Sequence, residues 1–467
     1  MLTKETHPRL AAGIPTNELP QTFCDAVKIS RNVGVRYLWI DSLCIFQDSK
    51  SDWSQEAAKM RGVYWNAICN IAATGADDSA AGMLKERNHH AVQPLIFTGS
   101  LSPHTMPSDV KSYVVVDSST WHHYVRSALL NTRGWVFQER LLSPRILHVT
   151  KNKLYLECTA GITDETLGKG WDIRSHIKSS FSYSREGVSQ GVSHFETTKE
   201  QTGQFSSNSM NSKVPEDTAL QYWDEVVADY SGLAFTMPED KFIALSGVID
   251  EVKEYLEDEF MSGMWMKQFP AALLWNVDSD HTTPIERQEW RAPSWSWAST
   301  DKAVKFRTFE AIPIASEEPA LKAFPRYELH VKVHIWPATL PLKPVQTGST
   351  PRMGIICETV LGQDTVRIRV WPDGYGIVDQ GSEAKLVATS WLLPVATGLL
   401  DQGNGLYYMR FVGGLLVTSS STARVERLCV FHLEGDVRRF AIETNEWKGY
   451  DLLDKIRKLE QKHLVLV

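Results

Sequence analysis

Hydrophobic and polar positions follow two periods along the first third of the chain. From Leu19, the run LPQTFCDAVKISRNVG sets Phe23, Ala26, Val27 and Val33 at helical spacing, with Pro20 suited to a first turn and Gly34 to a stop. Tyr37, Leu38, Trp39 and Ile40 then run without alternation and end on Asp41, the pattern of a short strand covered on both faces. Asp52, with Gln55 three residues on, predicts a helix start. Trp53, Ala57, Met60, Tyr64 and Ala67 give that helix one apolar side, and residues 69–73 predict a second buried strand. Helix, strand, helix, strand in this order is an α/β domain.

Residues 76–128 are less regular, with GADDSAAG and HTMPSD as loops. A third helix is predicted near 133–142, followed by a hairpin over RILHVTKNKLYLEC that turns at residues 151–152. Between 161 and 213 serine, threonine, glutamine and glycine dominate, which marks a flexible linker or insertion. Helices are expected near 218–230 and 241–257. From about 291 the pattern turns to strands, among them ELHVKVHIW, TVRIRVW and RLCVFHLEG, before a closing helix over DLLDKIRKLEQKH. Ser294, Trp295, Ser296 and Trp297 alternate as on a strand, with both indoles on one face as an anchor between domains. These shifts divide the chain into an α/β domain over 1–160, a linker over 161–213, a helical segment over 214–300 and a β-rich region over 301–467.

Composition narrows the function classes. The 467 residues are 43% hydrophobic and 22% charged, a globular balance. The net charge of −7, from 49 basic and 56 acidic residues, leaves no electrostatic footprint for nucleic acid. The first residues lack a signal-peptide core, and no apolar run reaches the roughly 18 residues of a membrane span, so a cytoplasmic protein is expected. Six cysteines without a C-x-x-C pair read as reduced thiols. The pairs His89–His90 and His122–His123 read as solvated loop residues, and no metal site is expected. Phosphate loop, dinucleotide fingerprint, H-E-x-x-H and G-x-S-x-G are all missing. Sixteen tryptophans are the unusual feature, and their first reading is structural.

Three stretches, YLWIDSLCIFQDSKSDWSQEAAKMRGVYWNA, NTRGWVFQERLLSPRILHV and RAPSWSWAS, resemble the fungal heterokaryon-incompatibility (HET) domain proteins. LPQTFCDAV and DYSGLAFTMPEDKFIALSGV extend the likeness to roughly two-thirds of the chain. The resemblance implies an α/β domain with a parallel sheet like that of Toll/interleukin-receptor (TIR) domains. It also implies a non-self recognition or cell-death effector that self-associates or meets other incompatibility proteins. One departure stands out: the family's opening strand, reading roughly Y-x-A-L-S-Y-x-W-G, has no counterpart before Leu19. A parallel sheet without its central strand leaves neighbouring edges unpaired unless another segment fills the gap.

Several branches of the similar TIR domains cleave NAD at the nicotinamide–ribose bond, using a helical glutamate with a tryptophan four positions before it. Glu139 and Trp135 have that spacing, so the resemblance implies a catalytic Glu139 with Trp135 beside the ligand, and NAD as substrate with no resident cofactor. Asp41 ends a predicted buried strand, where open α/β sheets place ligand groups, and Gln47, Asp48 and Trp39 lie close by in sequence. The competing expectation makes Glu139 a structural ion-pair partner of Arg133, Arg140 or Arg145. A further alternative is an accessory protein of a fungal metabolic gene cluster that binds a small apolar molecule among the tryptophans.

Overall fold

The computed structural model describes residues 1–87, 92–99, 111–115, 117, 119–159, 161–166, 216–269, 271–278 and 291–306, and past 306 only strand backbones. The chain forms two compact units, Met1–Tyr222 with Ala234–Tyr255, and Trp223–Leu233 with Leu256–Val467.

In the first unit the chain runs through helices α1 (His7–Ala11), α2 (Gln21–Asn32), α3 (Asp41–Cys44) and α4 (Lys50–Asn66). Strands β1 (Asn70–Ala72), β2 (Leu95–Gly99) and β3 (Lys111–Val115), helix α5 (Gly134–Leu142), and strands β4 (Arg145–Val149), β5 (Leu154–Cys158) and β6 (Gly161–Asp164) follow. β1 pairs parallel with β4, with Ile71 opposite Leu147, while β4–β5 and β5–β6 are antiparallel, giving the order β1-β4-β5-β6. The sheet is therefore mixed, with one parallel pair. The expected third helix and hairpin are both present. Ala26, Met83 and Val149 pack with Ile29, Ile71, Leu147 and Leu154, seating α2 on one sheet face.

Two local devices fix the helices. α2 buries Asp25, whose carboxylate accepts from the backbone N–H of Met83 (2.8 Å) and Leu84 (3.0 Å) and from the Gln21 amide (2.9 Å). Desolvation is the largest single influence on this carboxyl and pushes its pKa up. The donors outweigh it and hold the group below the usual range. α4 is capped by Ser49, whose hydroxyl accepts from the Asp52 N–H, rather than by Asp52 itself. The Asp52 carboxylate, at the third helical position, accepts from the Phe46 N–H at 2.8 Å and so ties the preceding loop to the helix start.

The reading of Tyr37 to Ile40 as a buried strand is overturned. The stretch joins no ladder, Ile40 at its end is extended (φ −133°, ψ 121°), and Tyr37 is 80% exposed. No strand among the described residues pairs with it.

Helices α6 (Glu216–Tyr230), α7 (Asp240–Ile243) and α8 (Ser246–Leu256) follow the linker, so the helix expected near 241–257 is broken at Ala244 and Leu245. In the second unit, Trp223, Trp265, Trp275, Trp295 and Trp297 are fully buried. The Trp275 indole donates to the Trp295 carbonyl (2.8 Å), and the Trp297 (2.6 Å) and Trp223 (3.2 Å) indoles both donate to the Gly263 carbonyl. Residues 294–297 are no strand. A turn leads into a 3-10 segment at Trp297–Ser299, capped by the Ser296 hydroxyl on the Ala298 N–H, because that bend lets both indoles enter one core. Gly263, at φ +96, lies where a Cβ would meet the Trp297 ring nitrogen at 2.5 Å.

The linker expected over 161–213 falls mostly outside the described residues, as do His89 and His90. His122 and His123 are exposed as expected, but they lie in a π-helical segment, His122–Arg126, rather than a loop. Of the closing helix, residues 451–460 are outside the described set, and the rest falls in a strand, Gln461–Leu466. Among the described residues no helix is long and apolar enough to cross a membrane.

Candidate functional site

The apolar stripe of α4 ends on Tyr64, which is buried and directs its hydroxyl at Glu139 of α5. The two helices meet because both turn apolar faces inward: Ala57 and Met60 on α4, Val136 and Leu141 on α5. Trp39 packs edge-on against Tyr64, with ring centroids 5.7 Å apart. Asp41, at the start of α3, is exposed and close enough for its charge to act on both Tyr64 and Glu139. Of the residues expected at a site, Glu139, Asp41 and Trp39 are thus gathered around one tyrosine that the sequence marked only as core.

Electrostatics single out Glu139. The residue keeps partial access to solvent although its carboxyl is densely surrounded by protein. Desolvation pushes its pKa up to about 7; the Tyr64 hydrogen bond and the Arg133 charge oppose that rise, and Asp41 adds to it. Tyr64 is itself raised well above the usual phenol range, first by burial and then by the two acidic neighbours. A group held near neutrality in a recess can gain or lose its proton at working pH.

The other expected site residues have different surroundings. Trp135 donates its indole N–H to Asp240 of α7 at 3.0 Å and meets Trp53 edge-on at 5.9 Å. The Gln47 amide donates to the Asp41 (3.4 Å) and Ile45 (3.0 Å) carbonyls, and its backbone N–H donates to the Leu2 carbonyl (2.9 Å). Asp48 accepts from the Lys4 N–H. Gln47 and Asp48 therefore brace the loop that carries Asp41, against an N-terminal segment that buries Leu2.

Arginine partners sort differently from the ion pair expected for Glu139. Arg140 grips Glu157 of β5 with two bonds, 2.8 and 3.0 Å, and Arg145 reaches the Ile68 carbonyl at 3.5 Å. Glu157 also meets His148 at 3.0 Å, and His148 meets the Thr74 hydroxyl at 3.1 Å, all of them buried. Arg133 acts on Glu139 through charge alone among these three. Helix α5 is further pinned by Gln138, whose side-chain oxygen accepts from the Gly247 N–H at 2.8 Å. No group of three His, Cys, Asp or Glu side chains among the described residues is placed to hold a metal ion.

Comparison with known proteins agrees with the resemblance carried by the motifs. No curated protein and no solved structure matches the chain. Residues 2–139, which end on Glu139 itself, match the family model described as heterokaryon incompatibility protein (HET), and the chain therefore carries a HET domain.

Proposed function

We propose that the chain is an incompatibility-type effector whose HET domain acts on a small ligand at Glu139, with hydrolysis of NAD to nicotinamide and ADP-ribose as the reaction that suits the site. The observation that carries this reading is the state of Glu139: partly open to solvent, hydrogen-bonded to Tyr64, beside Asp41, with its pKa pushed to about 7. Glu157, by contrast, is held by the Arg140 guanidinium and shut from solvent.

In the proposed reaction the bond between ribose C1′ and the nicotinamide nitrogen breaks, and its electron pair leaves with the ring. The positive charge left on the ribose is stabilised by an ionised Glu139. Water then adds to C1′ and loses its proton to solvent. Asp41, at the exposed side of the site, suits the cationic ring of the bound dinucleotide. The ionised form is the active one, so activity rises with pH through about 7. The test is nicotinamide release from NAD by the purified chain and by Glu139→Ala. The expected result is release by wild type and a loss on the order of 100-fold or more in the variant. Equal rates in both, or none from folded wild type, would end this reading.

A second reading, self-association without catalysis, is favoured by apolar residues of the first unit that stand in solvent, such as Tyr37, Ile68 and Ile96. In either case the cytoplasm is the proposed compartment, and the region over 301–467 the proposed β-rich partner module. An accessory role binding a small apolar molecule has less support, because the tryptophans of the second unit fill a core.

A further inference from the structure

Helix α5 is clasped along its length by one stretch of chain, residues 234–247, which belongs to the same compact unit. At the start of the helix the Ala234 N–H donates to the Thr132 carbonyl (2.8 Å) and the Gly134 N–H to the Ala234 carbonyl (2.9 Å). A Cβ at Gly134 would run into the Phe235 ring, so glycine is what admits that ring there. Further along, the Trp135 indole donates to Asp240 (3.0 Å) and the Gly247 N–H to Gln138 (2.8 Å). The match to the family model stops at residue 139, so the clasp is supplied from beyond the matched residues. Asp240 opens the short helix α7, where the dipole favours a carboxylate on its own account. Yet α7 has no side-chain cap bond, and the Asp240 carboxylate accepts from an indole 105 positions away. That indole also meets Trp53 edge-on at 5.9 Å, so it is held both at its N–H and at its ring. Residues four apart lie one above the other on a helix, and their side chains lean toward its N-terminus. Glu139 therefore leans over the turn that carries Trp135.

We propose that Asp240 is a positioning residue for the site at Glu139: by holding the Trp135 indole it fixes the first turn of α5, and so where the Glu139 carboxyl stands between Tyr64 and solvent. This rests on the proposed role of Glu139 and adds to it a residue from outside the matched region. The groups that act on the Glu139 carboxyl are Tyr64 from α4, Asp41 from α3 and Arg133 at the start of α5. Asp240 is not one of them, so its influence runs through the helix and not through charge. Without its bond to Asp240 the indole is no longer fixed, and water gains access to the carboxyl over the first turn. Desolvation is the largest cause that pushes the Glu139 pKa up to about 7, so the net effect of admitting water is a fall.

The folded pKa of Glu139 can be read without catalysis, as the pH at which the stability gap between Glu139→Gln and wild type stops widening. Taking the same gap within an Asp240→Ala or an Asp240→Asn background cancels the titration of Asp240 itself. In the wild-type background the gap is expected to level off near pH 7. With Asp240→Ala it should level off lower, by about one pH unit. With Asp240→Asn it should not move, because the amide oxygen still accepts from the indole while the charge is gone. Trp135→Phe keeps a ring beside Trp53 and loses the donor, so it should shift the value the same way and replaces Asp240→Ala if that variant does not fold. An unmoved value with Asp240→Ala or Trp135→Phe would overturn the proposal. So would a shift with Asp240→Asn as large as that with Asp240→Ala, or a wild-type value in the ordinary carboxylate range. Nicotinamide release is read separately at pH 8, where Asp240→Ala should lower kcat on the order of tenfold with KM near wild type and Asp240→Asn should restore it. No release from wild type would end the catalytic reading and leave the stability result to decide the role of Asp240.

Discussion

Helix α5 contributes two adjacent residues to two different carboxyl environments, and the contrast between them separates a carboxylate with a matched cation from one without. Arg140 serves Glu157, which also has His148 and is shut from solvent. Glu139, one position earlier, has a phenol donor, a like charge at Asp41 and only a distant arginine charge. Burial penalises both carboxylates, but at Glu157 a two-pronged guanidinium offsets the penalty, and at Glu139 it survives as a raised pKa. A compensated carboxylate holds elements together: here β5, β4 and α5. An uncompensated one costs stability when ionised and persists where the charge has another use.

The largest test of that contrast is Glu157→Ala. Removing one member of a buried pair strands the Arg140 charge and the His148 nitrogen, so a loss of about 3–5 kcal/mol is expected in chemical denaturation. Glu139→Ala is expected to change stability far less, and equal losses at the two positions would erase the distinction. A third carboxylate sharpens it. Asp25 is satisfied mainly by backbone N–H groups, and Asp25→Ala should cost about 2–3 kcal/mol by leaving the Met83 and Leu84 donors unpaired. Its folded pKa is depressed, so its contribution is present above the unfolded value and fades as pH falls through the folded one. Asp25→Ala and wild type should therefore converge in acid, as denaturation at successive pH values would show.

What the sequence made legible follows from where the signal is local. Helical spacing found α2 and α4, alternation found the β4–β5 hairpin, and the W-x-x-x-E spacing within the resemblance pointed to Glu139. Partners supplied across the fold stayed hidden. Tyr64 closes an apolar stripe and reads as core from its own helix, and nothing near it in sequence announces a carboxylate 75 positions on. Asp25 looks like an ordinary polar residue of α2 until the loop at Met83 folds over it. The error at Tyr37 to Ile40 has the same origin, since an apolar run specifies a strand only when a neighbour is there to pair with it. The WSWAS stretch misled by its alternation, because a bend can bury two indoles as well as a pleat can.

Replacing Glu139 by glutamine keeps its shape and removes its charge. A raised folded pKa means that the stability linked to this group is fully present below the unfolded value, near 4.5, and is lost as pH rises through about 7. Glu139→Gln should therefore match wild type at pH 4 and exceed it by about 1–3 kcal/mol at pH 8. Thermal or chemical denaturation at the two pH values reads the difference, and a variant that is no more stable at pH 8 would remove the case for an uncompensated charge.

The smallest effect belongs to Tyr64→Phe. The phenol hydroxyl favours the ionised form of Glu139, so its loss must push the carboxyl further up from about 7. A hydrogen bond to a charged group is worth about 1.5–3 kcal/mol, part of which water entering the recess restores, leaving a shift on the order of one pH unit. The rise of nicotinamide release with pH should move up by that amount while its plateau is kept, and the wild-type stability loss near neutrality should move with it. A fall in the plateau with an unmoved midpoint would instead make Tyr64 a ligand contact, and would place the proton that governs the site somewhere other than Glu139.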